Sequence, residues 1–151
     1  MVRSSVNSCW QKLADEAPYT EPGKRRGSSL GIEPVALHWS ENLAAAYLRC
    51  RGLSLVDKNY RCRRGEIDLV MMEAASAEET LVFVEVRYRK SSAYGTPEES
   101  ITRTKQTRII AAATHYMAAT NRLNCTARFD VVAVTQPNYL PNVQWIKNAF
   151  V

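Results

Sequence analysis

The chain has 151 residues, of which 46% are hydrophobic and 23% charged, with a net charge of +5. That is the composition of a soluble globular domain with a single core, and no apolar run is long enough to span a bilayer. The modest basic balance favours a polyanionic partner over an acidic protein.

Residues 1–32 read as a tail. Pro18, Pro22, Gly23, Gly27 and Gly31 punctuate it, and Lys24-Arg25-Arg26 and Ser28-Ser29 fill the gaps. No periodicity survives this composition, so disorder is expected up to residue 32 and a single α/β domain over residues 33–151. The residues after Met1-Val2-Arg3 carry no apolar core, so no secretory signal is expected. Four cysteines (Cys9, Cys50, Cys62 and Cys125) form no C-x-x-C pair. This argues against a zinc site and a disulfide framework, and points to reduced thiols in a cytoplasmic protein.

The first helix is predicted from Pro34, a residue suited to a first helical turn, to Arg51, where Gly52 stops it. Leu37, Glu41, Ala44, Ala45 and Leu48 share one stripe at helical spacing. Glu41 is therefore either a site residue among small apolar neighbours or an exposed acid at the edge of the stripe. A first strand follows over Leu53 to Asn59, then Arg61, Arg63, Arg64 and a turn at Gly65. The second strand covers Glu66 to Glu73 and the third Thr80 to Tyr88, with a hairpin loop between them. Alternation places Glu66, Asp68, Val70 and Met72 on one face of the second strand, opposite Ile67, Leu69 and Met71. In the third strand Leu81, Phe83, Glu85 and Arg87 share a face.

Thr96, Pro97 and Glu99 read as a capping box opening a second helix that runs to Ala119. Its stripe is Ile101, Lys105, Ile109, Ala112 and Tyr116. Lys105 either snorkels outward or aims its ammonium at the acids of the sheet. Arg128 to Val134 forms a fourth strand, and Val143 to Phe150 a short last strand or irregular edge. The helix between strands three and four allows that pair to be parallel, while the first three strands form a meander. The prediction is an α/β domain with a mixed sheet.

Asp68 and Glu85 demand an explanation, because carboxylates are depleted in strands and rarely buried unless paired or bound to metal. Facing each other across a hairpin, they would lie roughly 5–8 Å apart. Their repulsion would protonate one of them unless a cation intervened. Mg²⁺ needs only one or two carboxylates together with waters and substrate phosphate. Glu41 could add a third acid and the Val86 carbonyl a further ligand. Arg87, two residues after Glu85, could stabilise a phosphorane by charge. The alternative is a structural salt bridge from Arg87 to Asp68 or Glu85, without chemistry.

Gly65-Glu66-Ile67-Asp68-Leu69, Phe83-Val84-Glu85-Val86-Arg87-Tyr88-Arg89, Tyr94-Gly95, Lys105 and Arg128-Phe129-Asp130-Val131-Val132 together resemble the YraN family of uncharacterised bacterial proteins. The resemblance covers about residues 35–148. That family is in turn similar to the PD-(D/E)xK nucleases, especially archaeal Holliday-junction resolvases. It implies a restriction-endonuclease-like core in which helix, three strands, helix and strand follow in order. It also implies that Asp68 and Glu85 are the two metal-binding acids, that Glu41 is the helical acid, and that the metal is Mg²⁺ or Mn²⁺. Arg87 stands where the pattern has its catalytic lysine. Arginine stays protonated and supplies charge and a bidentate phosphate contact, without proton transfer; Lys105 could supply the missing ammonium.

Two functions follow as expectations. In the first, the protein is a metal-dependent deoxyribonuclease for branched or damaged DNA. Glu41, Asp68 and Glu85 hold the metal, and Arg87 or Lys105 stabilises the transition state. Arg61, Arg63, Arg64, Arg89, Lys90, Arg103 and Arg108 line the phosphate path. A branched substrate would suit a homodimer, though no sequence feature shows one. In the second, the protein is a non-catalytic nucleic-acid-binding module that retains the nuclease fold.

Overall fold

The structure, a computed structural model, describes residues 35–75, 78–89, 101–136 and 140–151. The predicted tail, the capping box at Thr96 and the phosphate contact at Lys90 lie outside the described residues. Among the described residues two helices and five strands follow in the order α1 (Val35–Cys50), β1 (Leu53–Cys62), β2 (Gly65–Ala75), β3 (Glu78–Arg89), α2 (Arg103–Ala119), β4 (Thr126–Thr135) and β5 (Asn142–Phe150).

The strands form one sheet in sequence order. β1, β2 and β3 are an antiparallel meander. β3 and β4 pair in parallel from Thr80↔Thr126 to Arg89↔Thr135, and β5 returns antiparallel to β4. This is the predicted α/β, restriction-endonuclease-like architecture: a mixed sheet with a helix on each face. The parallel pair requires a crossover, and α2 lies within it.

Small residues set the packing on the first face. Ala44, Ala45 and Leu48 bring α1 down onto Leu69, Met71, Val82, Val84, Val86, Val132 and Val134. On the second face Ile109, Ala112, Ala113 and Tyr116 of α2 cover Val70, Leu81, Phe83 and Val131. Tyr116 meets both Tyr60 and Phe83 edge-on, at 4.9 and 5.9 Å between ring centroids. Both faces of β3 are thus buried, as its apolar alternation requires. α1 ends as predicted: Gly52 takes φ +94° and its N–H reaches the Arg49 carbonyl. That left-handed conformation suits glycine at a helix C-terminus.

Several boundaries move. α2 starts at Arg103, with Thr102 as its N-cap accepting from the Lys105 N–H, so Thr96 does not begin this helix. Its exposed first turn offered no hydrophobic periodicity to fix the start. β1 and β2 run on to pair Cys62 with Gly65, so the turn is Arg63-Arg64 and Gly65 opens a strand. β2 and β3 also extend past the expected loop, pairing Ala75 with Glu78. The expectation of reduced thiols holds for Cys62 and Cys125, which are free, whereas Cys50 is disulfide-bonded.

Strict alternation in β2 places Ile67 beside Leu69 and Met71, yet it packs in the α2 cluster with Tyr60 and Cys62. Asn59, on β1 where it would face Asp68, has φ 55°. Pairing runs Lys58↔Leu69 then Tyr60↔Ile67, leaving Asn59 and Asp68 unmatched. A left-handed residue inside a strand interrupts simple alternation, and asparagine tolerates that conformation better than most residues. The change of side falls at Asp68.

Candidate metal and phosphate site

The β2–β3 ladder stops at Leu69↔Val84, one residue before Asp68. Beyond it the Asp68 carboxylate replaces the missing strand partner, accepting the Val86 N–H at 2.7 Å. The two strands thus separate at the point where both carry acids. Burial, the neighbouring Glu85 charge and, more weakly, Glu41 raise the Asp68 pKa to about 7, against the lowering effects of the Val86 N–H and Lys105.

Glu85 is 3% exposed and continues the Leu81–Phe83 face, so it points towards α2. There Lys105 Nζ lies 3.0 Å from Glu85 Oε1 and 3.7 Å from Glu66 Oε1. The inward-aiming alternative for Lys105 is therefore the one the fold adopts. Arg87 Nε is 3.4 Å from the same Glu85 oxygen. Of the two salt bridges considered for Arg87, the structure has the one to Glu85. Glu85 Oε2 is buried and accepts no hydrogen bond.

Glu41 is 6% exposed on α1 and approaches from the opposite face of the sheet. Its Oε2 lies 3.7 Å from Lys58 Nζ, and it too is buried without a hydrogen bond. Lys58 also donates to Asn42 Oδ1. The edge-of-stripe alternative for Glu41 does not apply. Approach from two faces explains why, among the described residues, no three His, Cys, Asp or Glu side chains are grouped to hold a metal ion.

The donor chemistry is nonetheless that of a hard-cation site. Two close carboxylates, one with a buried oxygen lacking a hydrogen-bond donor, match the one or two protein ligands that Mg²⁺ commonly uses. Asp68 and Glu85 would hold such an ion, and Glu41 adds negative potential behind Asp68.

The predicted cationic residues divide into groups. Arg61, Arg63 and Arg64 at the β1–β2 turn, with Lys105 and Arg108 from α2, line a cleft of about 450 Å³ together with Cys62, Gly65, Glu66 and Ile109. Arg103 is exposed at the start of α2 and Arg89 is half-buried at the end of β3; neither lines the cleft. Lys105 belongs both to the cleft and to the acid pair.

Gly65 permits this apposition of turn and helix. A Cβ at Gly65 would stand 2.5 Å from the Arg108 carbonyl oxygen, a backbone atom that cannot rotate away. Gly65→Ala is expected to cost about 1–3 kcal/mol through forced displacement of α2. Urea denaturation checks this; an unchanged midpoint would show that the helix yields freely.

Three polar residues were given no role from the sequence. Lys58 and Glu66 are the partners of Glu41 and Lys105, and their surface-like strand positions gave no signal. Asp130 is fully buried at a distance from the acid pair along the chain, in a structural network. It accepts from Arg128 Nε, Trp145 Nε1 and the Asn148 N–H at 2.9–3.2 Å. Its burial in an apolar strand was the available clue.

The mixed five-stranded sheet with its two helices is an α/β fold compatible with a restriction-endonuclease-like core. The profile described as "Uncharacterised protein family UPF0102" matches residues 40–134. A UPF0102 protein of Nitrosococcus oceani is 47% identical over 112 residues, covering 74% of this chain and 87% of the relative. The UPF0102 protein MCA0184 of Methylococcus capsulatus is 50% identical over 116 residues, covering 77% and 90%. A UPF0102 protein of Cupriavidus metallidurans is 49% identical over 111 residues, covering 74% and 77%. The chain belongs to the UPF0102 family, the same family as YraN. Among the described residues no helix is long and apolar enough to cross a membrane.

Proposed function

We propose that this protein is a Mg²⁺-dependent nuclease of the PD-(D/E)xK type, acting on DNA and in particular on branched or repair intermediates. The observation that carries the proposal is the opening of the β2–β3 ladder at Asp68, beside Glu85 and next to a cleft lined by five cationic side chains. A bound Mg²⁺ would supply an activated water and polarise the phosphodiester. Asp68 and Glu85 would hold it, and Asp68 would have to give up its proton to do so, so binding is expected to strengthen as pH rises towards 8. Lys105 and Arg87 face the same carboxylate and supply positive charge where the phosphorane forms. Arg61, Arg63, Arg64 and Arg108 neutralise the strand backbone, which makes affinity fall with salt. A branched substrate suits a homodimer.

Four-way junctions, single strands and duplexes incubated with Mg²⁺ or Mn²⁺ test this. Cleavage is expected from the wild type and is expected to vanish in Asp68→Ala and Glu85→Ala. The second reading, a binding module without catalysis, is favoured by one contact: Lys105 already neutralises Glu85 at 3.0 Å. Salt-sensitive binding with no cleavage, unchanged in both variants, would select it.

A further inference from the structure

The five cationic side chains of the cleft do not form an extended stripe. They converge on one space of about 450 Å³, near the lower end of small-molecule pockets, roughly 300–1,000 Å³. That is the scale of one nucleotide and far less than a duplex needs. Among the described residues Glu66 is the sole acid in the lining, and its partners are Arg61 at 3.8 Å and Lys105 at 3.7 Å. Arg63, Arg64 and Arg108 have no ion-pair partner among the described residues, although all three are exposed to solvent. Among the described residues the remaining lining, Cys62, Gly65 and Ile109, offers no aromatic ring on which a base could stack. The described lining of the cleft is therefore dominated by charge.

A phosphodiester brings one negative charge. A phosphomonoester brings about 1.5–2 at neutral pH, with three acceptor oxygens. Three arginine forks without carboxylate partners match the second better, since each can bind two oxygens of one group. Gly65 adds to this match: its missing side chain lets the arginine turn close against the Arg108 segment of α2.

We propose that the cleft between the Arg63-Arg64 turn and α2 is a seat for the terminal phosphate of a nucleic-acid strand. Lys105 lines this seat and also contacts Glu85, so a strand end held here lies beside the acid pair. This rests on the proposed action on nucleic acid and narrows the substrate to strands with phosphorylated ends.

The test is fluorescence anisotropy on the full chain with EDTA present, so that binding is read without cleavage. Probes are one oligonucleotide sequence with a 5′-phosphate, a 3′-phosphate or hydroxyls at both ends, with the dye placed internally. Adenosine monophosphate and inorganic phosphate serve as competitors. At least one phosphorylated end should bind about tenfold tighter than the hydroxyl form. That gap should disappear in Arg63→Gln/Arg64→Gln and survive in Arg49→Gln/Arg51→Gln, which removes equal charge from α1 and its C-terminal end. Competition by adenosine monophosphate as strong as by the phosphorylated strand would overturn the strand assignment. Equal affinity for all three oligonucleotides would overturn the phosphate seat while leaving the nuclease reading in place. No binding of any oligonucleotide would overturn both.

Discussion

Asp68→Asn is expected to stabilise the protein above pH 7 and to abolish the metal-dependent cleavage proposed above. The sign follows from the two states of the carboxyl. Unfolded, it titrates near 3.9; folded, burial and then the Glu85 charge raise it to about 7. Between these values the folded chain holds a proton that the unfolded chain has released. Stability therefore falls as pH rises from about 4, and the loss is complete above about 7. A difference of roughly three units corresponds to about 2–4 kcal/mol after allowing for solvent relaxation. Asparagine cannot ionise, and its carbonyl can still accept the Val86 N–H. Urea denaturation at pH 5 and pH 8 should show a steep pH loss in the wild type and a shallow one in the variant. Added Mg²⁺ should raise the wild-type midpoint at pH 8 and leave that of the Asp68→Asn variant unmoved. Parallel pH profiles for the two proteins would refute the argument.

The second large effect lies away from the acids. Asp130→Ala is expected to cost about 3–5 kcal/mol, the usual penalty for breaking a buried ion pair from one side. The Asp130 carboxylate is fully buried and is held by the Arg128 side chain, the Trp145 ring nitrogen and the Asn148 backbone. Pairing between β4 and β5 is irregular here, jumping from Phe129↔Phe150 to Val131↔Ile146. Asn148 sits in the irregular stretch with φ 50°. The aspartate thus replaces ladder bonds that the displaced strand cannot make, as Asp68 does between β2 and β3. Arg128 also bonds Glu73, and this holds the Glu73 carboxyl below its usual range. That stabilising contribution is present above about pH 4 and declines as pH falls below it. A chemical denaturation midpoint for Asp130→Ala close to the wild type would show that solvent replaces the network without cost.

The fold was largely legible because the strands bury one or both faces and their composition says so. Leu81 to Val84 is apolar on both sides, and the structure covers it with a helix on each. The helix between β3 and β4 correctly implied their parallel pairing. The start of α2 was not legible: both Thr96 and Thr102 are plausible caps, and the three residues after Thr102 carry no apolar signal. The direction of Lys105 was legible only as a choice, since a lysine in an apolar stripe either escapes to water or finds an acid. Its answer depends on Glu85, 20 residues earlier in the chain, being brought beneath α2. Ile67 was misplaced because period-two reasoning assumes unbroken alternation, and Asn59 interrupts it from the neighbouring strand. Glu41 was placed on the correct helical face, but its separation from Glu85 by the sheet is a tertiary fact that no local pattern contains.

The irregularities in β1 and β5 have a further consequence, because these are the two edge strands. An unpaired strand edge is a template on which another chain can continue the sheet. On one edge, β1 shifts register between Leu55 and Asp57 and then turns left-handed at Asn59. On the other, β5 is displaced around Asn148 and presents the exposed charge of Lys147. Among the described residues neither edge offers the long, flat row of free donors and acceptors that fibrous self-association exploits. The same bends that shape the polar sites therefore disfavour edge-to-edge pairing through the described strands.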